Sequence, residues 1–214
     1  MKTILDPLDT PAHDTLVEKK SEFIADVCHI DSLDDALVFV ETIRGQHPKA
    51  RHVAYAAMCV DGDGRISERM SDDGEPSGTA GKPILDVLRQ NELIDCVITV
   101  TRYFGGILLG SGGLIRAYSS TASLGVKAAH LARIETCRRY RVVLQYPQLT
   151  MLQQLAFGAN GRLENEEYSD KVRLDVVVPI ASETEFLHRV RESFSATVTP
   201  EAVELVSRPV PIDA

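Results

Sequence analysis

Residues 99–114, TVTRYFGGILLGSGGL, constrain this chain more than any other stretch. They run from an apolar strand through Arg-Tyr-Phe into five glycines within nine residues, 105–113, and on into a helix-forming segment. A strand that feeds a helix through such a loop leaves unpaired backbone N–H groups at the helix N-terminus, where the helix dipole favours negative charge. Glycine also permits left-handed backbone and lets a partner approach the main chain closely. The stretch therefore reads either as an anion-binding loop or as a tight strand–helix packing turn. Five glycines exceed what one turn requires.

The named phosphate motifs do not fit. A P-loop needs Lys followed by Ser or Thr after its last glycine, and here Gly110 is followed by Ser111. Gly81-Lys82 runs into Pro83, and Pro76 stands where that motif's first glycine belongs. A dinucleotide fingerprint on Gly110 and Gly112 would need glycine or alanine at Ile115. Nucleoside triphosphatases and NAD enzymes drop out on these grounds.

Charge adds a direction. The formal net charge is −8, but residues 1–94 carry −8, residues 95–145 carry +5 and residues 146–214 carry −5. The glycine loop lies in the one basic segment, which suggests a single anion-facing surface. Within that segment Arg133, Arg138, Arg139 and Arg141 read as the solvated face of a strand. Cys28, Cys59, Cys96 and Cys137 form no Cys-x-x-Cys and sit mostly in apolar runs, as buried free thiols do. No stretch approaches a transmembrane length, and the acidic, proline-broken start is unlike a signal peptide. A cytoplasmic protein without a membrane partner is expected.

Periodicity places the motifs. Residues 19–29 read as a strand, and Asp31 or Ser32 caps a helix with Leu33, Ala36, Leu37, Val40 and Ile43 on its apolar face. Two strands, 52–60 and 65–71, flank a hairpin signal at Asp61-Gly62-Asp63-Gly64. Pro83 opens a helix, residues 95–103 form a buried strand, and residues 114–131 form a helix. From residue 133 the pattern is strand, helix from Pro147, hairpin about Ser169-Asp170, helix capped by Ser182, and closing strand 196–206. That βαββαβ order implies a ferredoxin-like sandwich. The expected architecture is α+β in two domains, residues 1–132 and 133–214.

A second motif, residues 71–81, reads SDDGEPSGTAG. Its carboxylates Asp72, Asp73 and Glu75 are of the type that holds Mg²⁺ or does acid–base work, although such clusters are more often solvated turns. Its Ser77, Gly78 and Thr79, with Lys82, form a candidate second wall of an anion site.

Together SDDGEPSGTAGKPIL (71–85) and VTRYFGGILLGSGGLIRAYS (100–119) resemble the IMPACT family in its bacterial branch. KKSEFIA (19–25) and HPKARHVAYA (47–56) match that family as well. The resemblance implies a first domain similar to the second domain of a small-subunit ribosomal protein, and a second domain similar to the last domain of elongation factor G. It also implies a link to translation, since eukaryotic relatives influence translational control.

The leading reading is a non-enzymatic, translation-linked factor that binds RNA or the ribosome. Its candidate ligands are Arg102, Arg116, Lys82 and the loop positions Gly105, Gly106, Gly110, Ser111, Gly112 and Gly113, with Ser77, Gly78 and Thr79 opposite. Tyr103 is a candidate base-stacking residue, whereas Phe104 reads as core. One alternative is an enzyme or binder for a small phosphorylated or carboxylated ligand, with Mg²⁺ on Asp72, Asp73 and Glu75. Another is a protein-interaction adaptor in translational control. No nucleophile and base are assembled and no cofactor is required, so no catalytic residue is assigned. The oligomeric state is left open.

Overall fold

The structure, a computed structural model, describes residues 1–61 and 64–212. Contacts divide it into two compact units: Met1–Arg133 with Pro211 and Ile212, and Ile134–Val210. No helix among the described residues is long and apolar enough to cross a membrane.

The first unit contains β1 (Lys2–Ile4), β2 (Ala12–Glu18), β3 (Ser21–His29), α1 (Leu33–Gln46), β4 (His52–Val60), β5 (Ile66–Ser71), α2 (Gly81–Gln90), β6 (Cys96–Tyr103) and α3 (Ser111–Ala128). Its sheet has the order β2-β3-β6-β4-β5, with every neighbouring pair antiparallel. Alternate residues of the same strands feed two cores. Ala25, Val27, Ala56, Ile98 and Val100 pack with Ile84 and Leu88 of α2 and Tyr118 and Ala122 of α3. Cys28, Val53, Tyr55, Ala57 and Val97 pack beneath Ala36, Phe39, Val40 and Ile43 of α1. Covering on both faces explains why these strands read as unbroken apolar runs.

Several expectations need correction. Strand β3 begins at Ser21, because Lys19 and Lys20 form a two-residue turn that pairs Glu18 with Ser21. Both lysines have positive φ, 46° and 65°, as a type I′ hairpin turn requires. Strands β1 and β2 have no counterpart in the periodicity; β2 is shallowly buried and its turn lacks the usual Asn-Gly. Phe39, not Leu37, completes the α1 stripe, and Ser32 rather than Asp31 caps that helix by accepting from the Asp35 N–H at 3.2 Å. The hairpin signal between β4 and β5 includes Gly62 and Asp63, which lie outside the described residues.

One topological fact positions the candidate site. Strands β5 and β6 are each antiparallel to β4 and so run parallel to each other. Each leads into a helix that returns over the same sheet face. The N-termini of α2 and α3 therefore share one end of the sheet.

The second unit is formed by the continuation of β7 (Leu131–Leu144), α4 (Leu149–Gly158), β8 (Arg162–Tyr168), β9 (Val172–Pro179), α5 (Glu183–Ser193) and β10 (Glu201–Pro211). The sheet order β10-β7-β9-β8 is the split arrangement of a βαββαβ unit. Both helices pack on one face, where Val142, Leu144, Val172, Leu174 and Val176 meet Leu152, Ala156, Phe186 and Val190. Three local details differ from expectation. A short 3-10 turn at Tyr146–Gln148 precedes α4, Ser182 makes no side-chain cap, and β10 starts at Glu201. The arginines of β7 are paired rather than merely solvated: Arg138 with Glu183, Arg139 with Glu164 and Glu204, and Arg141 with Asp175.

The four cysteines are free and buried. Burial, followed by nearby carboxylates, pushes the Cys28 and Cys59 thiols up to about 12, which leaves them chemically quiet.

The glycine loop docks on the two-lysine turn. A Cβ on Gly105 would stand 2.0 Å from both C and O of Lys20, while one on Gly106, at φ +84°, would meet nothing within 4 Å. Gly105→Ala is accordingly expected to destabilise the fold by about 3 kcal/mol through overpacking, and Gly106→Ala by about 1 kcal/mol through backbone strain. Urea denaturation of the two variants checks this. A Gly105→Ala midpoint no lower than that of Gly106→Ala would refute the close approach.

Candidate functional site

Helix α2 carries no side-chain cap at Ala80 and no acid in its first turn. Its exposed amides are taken by the preceding loop. Asp72 Oδ1 accepts from the N–H groups of Ala80 and Gly81, both at 2.9 Å, and Oδ2 accepts from Gly78 at 2.8 Å. Burial alone raises this carboxyl, but the three donors outweigh it and hold Asp72 below the ordinary carboxylate range. The α2 N-terminus is an anion site filled by the chain's own anion.

The other two carboxylates are engaged separately. Asp73, at φ 47°, receives both Arg44 guanidinium nitrogens at 3.1 and 3.0 Å and the Val53 N–H at 2.6 Å. Its carbonyl accepts from His52 Nδ1 at 2.7 Å. Desolvation raises the Asp73 carboxyl, and Arg44 and Val53 together bring it below its usual value. Glu75 accepts from Arg102 Nη1 at 2.6 Å and from the Tyr118 hydroxyl at 2.9 Å. The side chains of that ion pair are only 8% and 3% exposed. Burial, then Glu75, pushes the Tyr118 phenol far up, so it stays a donor.

These contacts correct the expectation of an acid–base or metal loop. Asp72, Asp73 and Glu75 point to three different partners, and among the described residues no three metal-ligating side chains cluster. They also correct Arg102, which is buried against Glu75 instead of facing a ligand. Its guanidinium lies 5.4 Å from the Phe23 ring centre and 5.5 Å from that of Phe104.

The α3 N-terminus is different. Gly110, at φ 72°, is its N-cap and supplies no side chain, and the first turn holds no acid. Within the described residues the amides of Ser111, Gly112 and Gly113 find no acceptor. Arg116 folds back over this turn, with Nη1 3.7 Å from where a Cβ on Gly112 would stand. Among the described residues it makes no ion pair. A cation at the positive end of a helix dipole is unfavourable until an anion joins it.

The remaining candidates divide between structural and accessible positions. The Gly105 N–H is already used, donating to Ser21 Oγ at 3.1 Å. Thr79 is buried and donates to the Pro76 carbonyl, while Ser77 is exposed. Lys82 pairs with Asp86 at 3.1 Å and lines, with Gly78 and Ile115, a groove of about 620 Å³ between α2 and α3. Tyr103 is half-buried, its hydroxyl bonded to His47 Nδ1 at 3.0 Å. Phe104 is not core: it is 50% exposed. Arg116, Gly113 and Leu109 line a cleft of about 290 Å³ together with Lys19 and Glu18. Lys19 escapes the sequence reading because it falls at the start of a strand-like run; the signal for its turn is the Lys-Lys pair just before the alternating residues.

Residues 19–126 match the family model of the Impact N-terminal domain, and residues 142–197 match a domain of unknown function, DUF1949. The chain is similar to "IMPACT family member YigZ" of Escherichia coli (strain K12), 37% identical over 89% of this chain and 94% of that one. It is likewise similar to an IMPACT family member of Haemophilus influenzae, 33% identical over 87% of this chain and 91% of that one. A solved structure described as a hypothetical protein superposes with a TM-score of 0.58 at 33% identity, covering 95% of this chain and 97% of that chain.

The filled α2 terminus has a measurable consequence. Asp72→Ala is expected to cost about 1–2 kcal/mol at neutral pH through loss of the capping anion. Because the folded carboxyl lies below its unfolded value of about 4, this stabilisation is complete above that pH and disappears as pH falls through the folded value. Urea midpoints of the two proteins should differ at neutral pH and converge in acid. Curves that stay parallel down to roughly pH 2 count against the assignment.

Proposed function

The chain belongs to the IMPACT family, and on that premise we propose that it is a non-enzymatic, translation-linked factor of the cytoplasm whose first unit binds RNA phosphate, free or on the ribosome. The phosphate sits at the α3 N-terminus, held by the amides of Ser111, Gly112 and Gly113 and by Arg116, with Lys19 on the rim. One observation carries this reading. Of two helix N-termini at the same end of the sheet, Asp72 fills one, and the other is left open beneath a cation that has no counter-ion among the described residues. The family resemblance supports it through the implied likeness of the two units to a ribosomal-protein domain and to the last domain of elongation factor G. Fold likeness alone does not assign function. The Mg²⁺-dependent alternative needs carboxylates that are already engaged within the fold.

Fluorescence anisotropy with a short single-stranded RNA tests the proposal. Binding should weaken with salt at a log–log slope of about −0.7 per neutralised phosphate. Arg116→Ala should flatten the slope by about one such contact, with little change in sequence preference. Arg102→Ala should instead lower stability, because it strands Glu75. No binding at low salt, or an Arg116→Ala slope equal to that of the unaltered protein, would remove the reading.

A further inference from the structure

Resting on that RNA reading, we propose that Phe104 is a platform for one nucleobase, so that the site takes single-stranded RNA with a base laid on the Phe104 ring and a phosphate at Arg116. Phe104 follows β6 directly and opens the glycine loop, yet half of it remains exposed. It is not a loose side chain. The Arg102 guanidinium supports the ring at 5.5 Å and is itself fixed by Phe23 at 5.4 Å and by Glu75 at 2.6 Å. Glu75 is in turn held by Tyr118 of α3. A propped aromatic ring loses little freedom when a second flat group stacks on it, and every base offers such a face.

Position agrees with this use. Gly105, next in sequence, abuts the backbone of Lys20, and Lys19 of the same turn lines the cleft that holds Arg116 and Gly113. The residue that follows Phe104 and the cleft that holds Arg116 thus adjoin one two-lysine turn. An RNA duplex keeps its bases stacked within the helix, whereas a single strand can lay one out. Single-stranded RNA is therefore the class that uses both features at once.

The test compares a short oligouridine with an abasic ribose-phosphate oligomer of equal length, by anisotropy at low salt. The unaltered protein should bind oligouridine about tenfold more tightly than the abasic oligomer. Phe104→Leu should reduce oligouridine binding to the abasic level and leave abasic binding unchanged, and Phe104→Tyr should retain the preference. Arg116→Ala should weaken both oligomers alike. Equal binding of the two oligomers by the unaltered protein, or an unchanged preference in Phe104→Leu, overturns the platform while leaving phosphate binding intact. Failure of the unaltered protein to bind either oligomer overturns the underlying RNA reading as well.

Discussion

Glu75 and Arg102 meet almost entirely out of water, and they join the loop before α2, the end of β6 and α3 of the first unit. Glu75 comes from the loop before α2, Arg102 from the end of β6, and the Tyr118 hydroxyl that shares the carboxylate from α3. Removing one partner of such a pair costs about 3–5 kcal/mol, because the other charge is left buried and alone. Replacing both partners of a buried pair by apolar groups is often neutral, so the pair's contribution is better sought in geometry than in stability. It ties a loop, a strand end and a helix to common coordinates, and the Phe104 ring rests on the result.

The distribution of counter-ions gives the rest of the electrostatics. The segment 95–145 is basic by count, but folding returns most of that charge to nearby acids. Arg102 goes to Glu75, Arg138 to Glu183, Arg139 to Glu164 and Glu204, and Arg141 to Asp175. Arg116 is left over the α3 terminus. A linear charge tally thus overstates how much of that segment's charge faces solvent. Among the described residues Lys127 of the same segment is likewise without an ion pair, so what sets Arg116 apart is its place at the α3 N-terminus.

Long periodic elements are legible because burial on both sheet faces writes itself into composition: residues 52–60 and 96–103 could be little else. Strand β2 is illegible for the opposite reason, being an edge strand with a shallow face and a turn made of two lysines. At the site, the glycine loop and Arg116 are visible from the strand–glycine–helix pattern. The partners of Asp72, Asp73, Glu75 and Arg102 are not, since they lie up to several dozen positions away and adjacency in sequence suggests a shared task. Three neighbouring carboxylates instead serve a helix end, a strand's amide with an arginine, and a buried ion pair. Phe104 reads as core because a phenylalanine at a strand end usually is, yet it lies half exposed against the Arg102 guanidinium.

The central place of β6 has a consequence for how the protein is made. It is the last strand of the five-stranded sheet to leave the ribosome, yet it lies between β3 and β4, pairing Glu22 with Tyr103 and His52 with Arg102. The hairpins β2–β3 and β4–β5 are local and can close early, within microseconds of becoming available. Until β6 arrives, their inner edges have no partner in the chain, and unpaired edges invite pairing with other molecules. The nascent protein therefore passes through an interval in which two finished hairpins await a keystone, and the strand that ends this interval is the one that carries Arg102 and leads into the glycine loop.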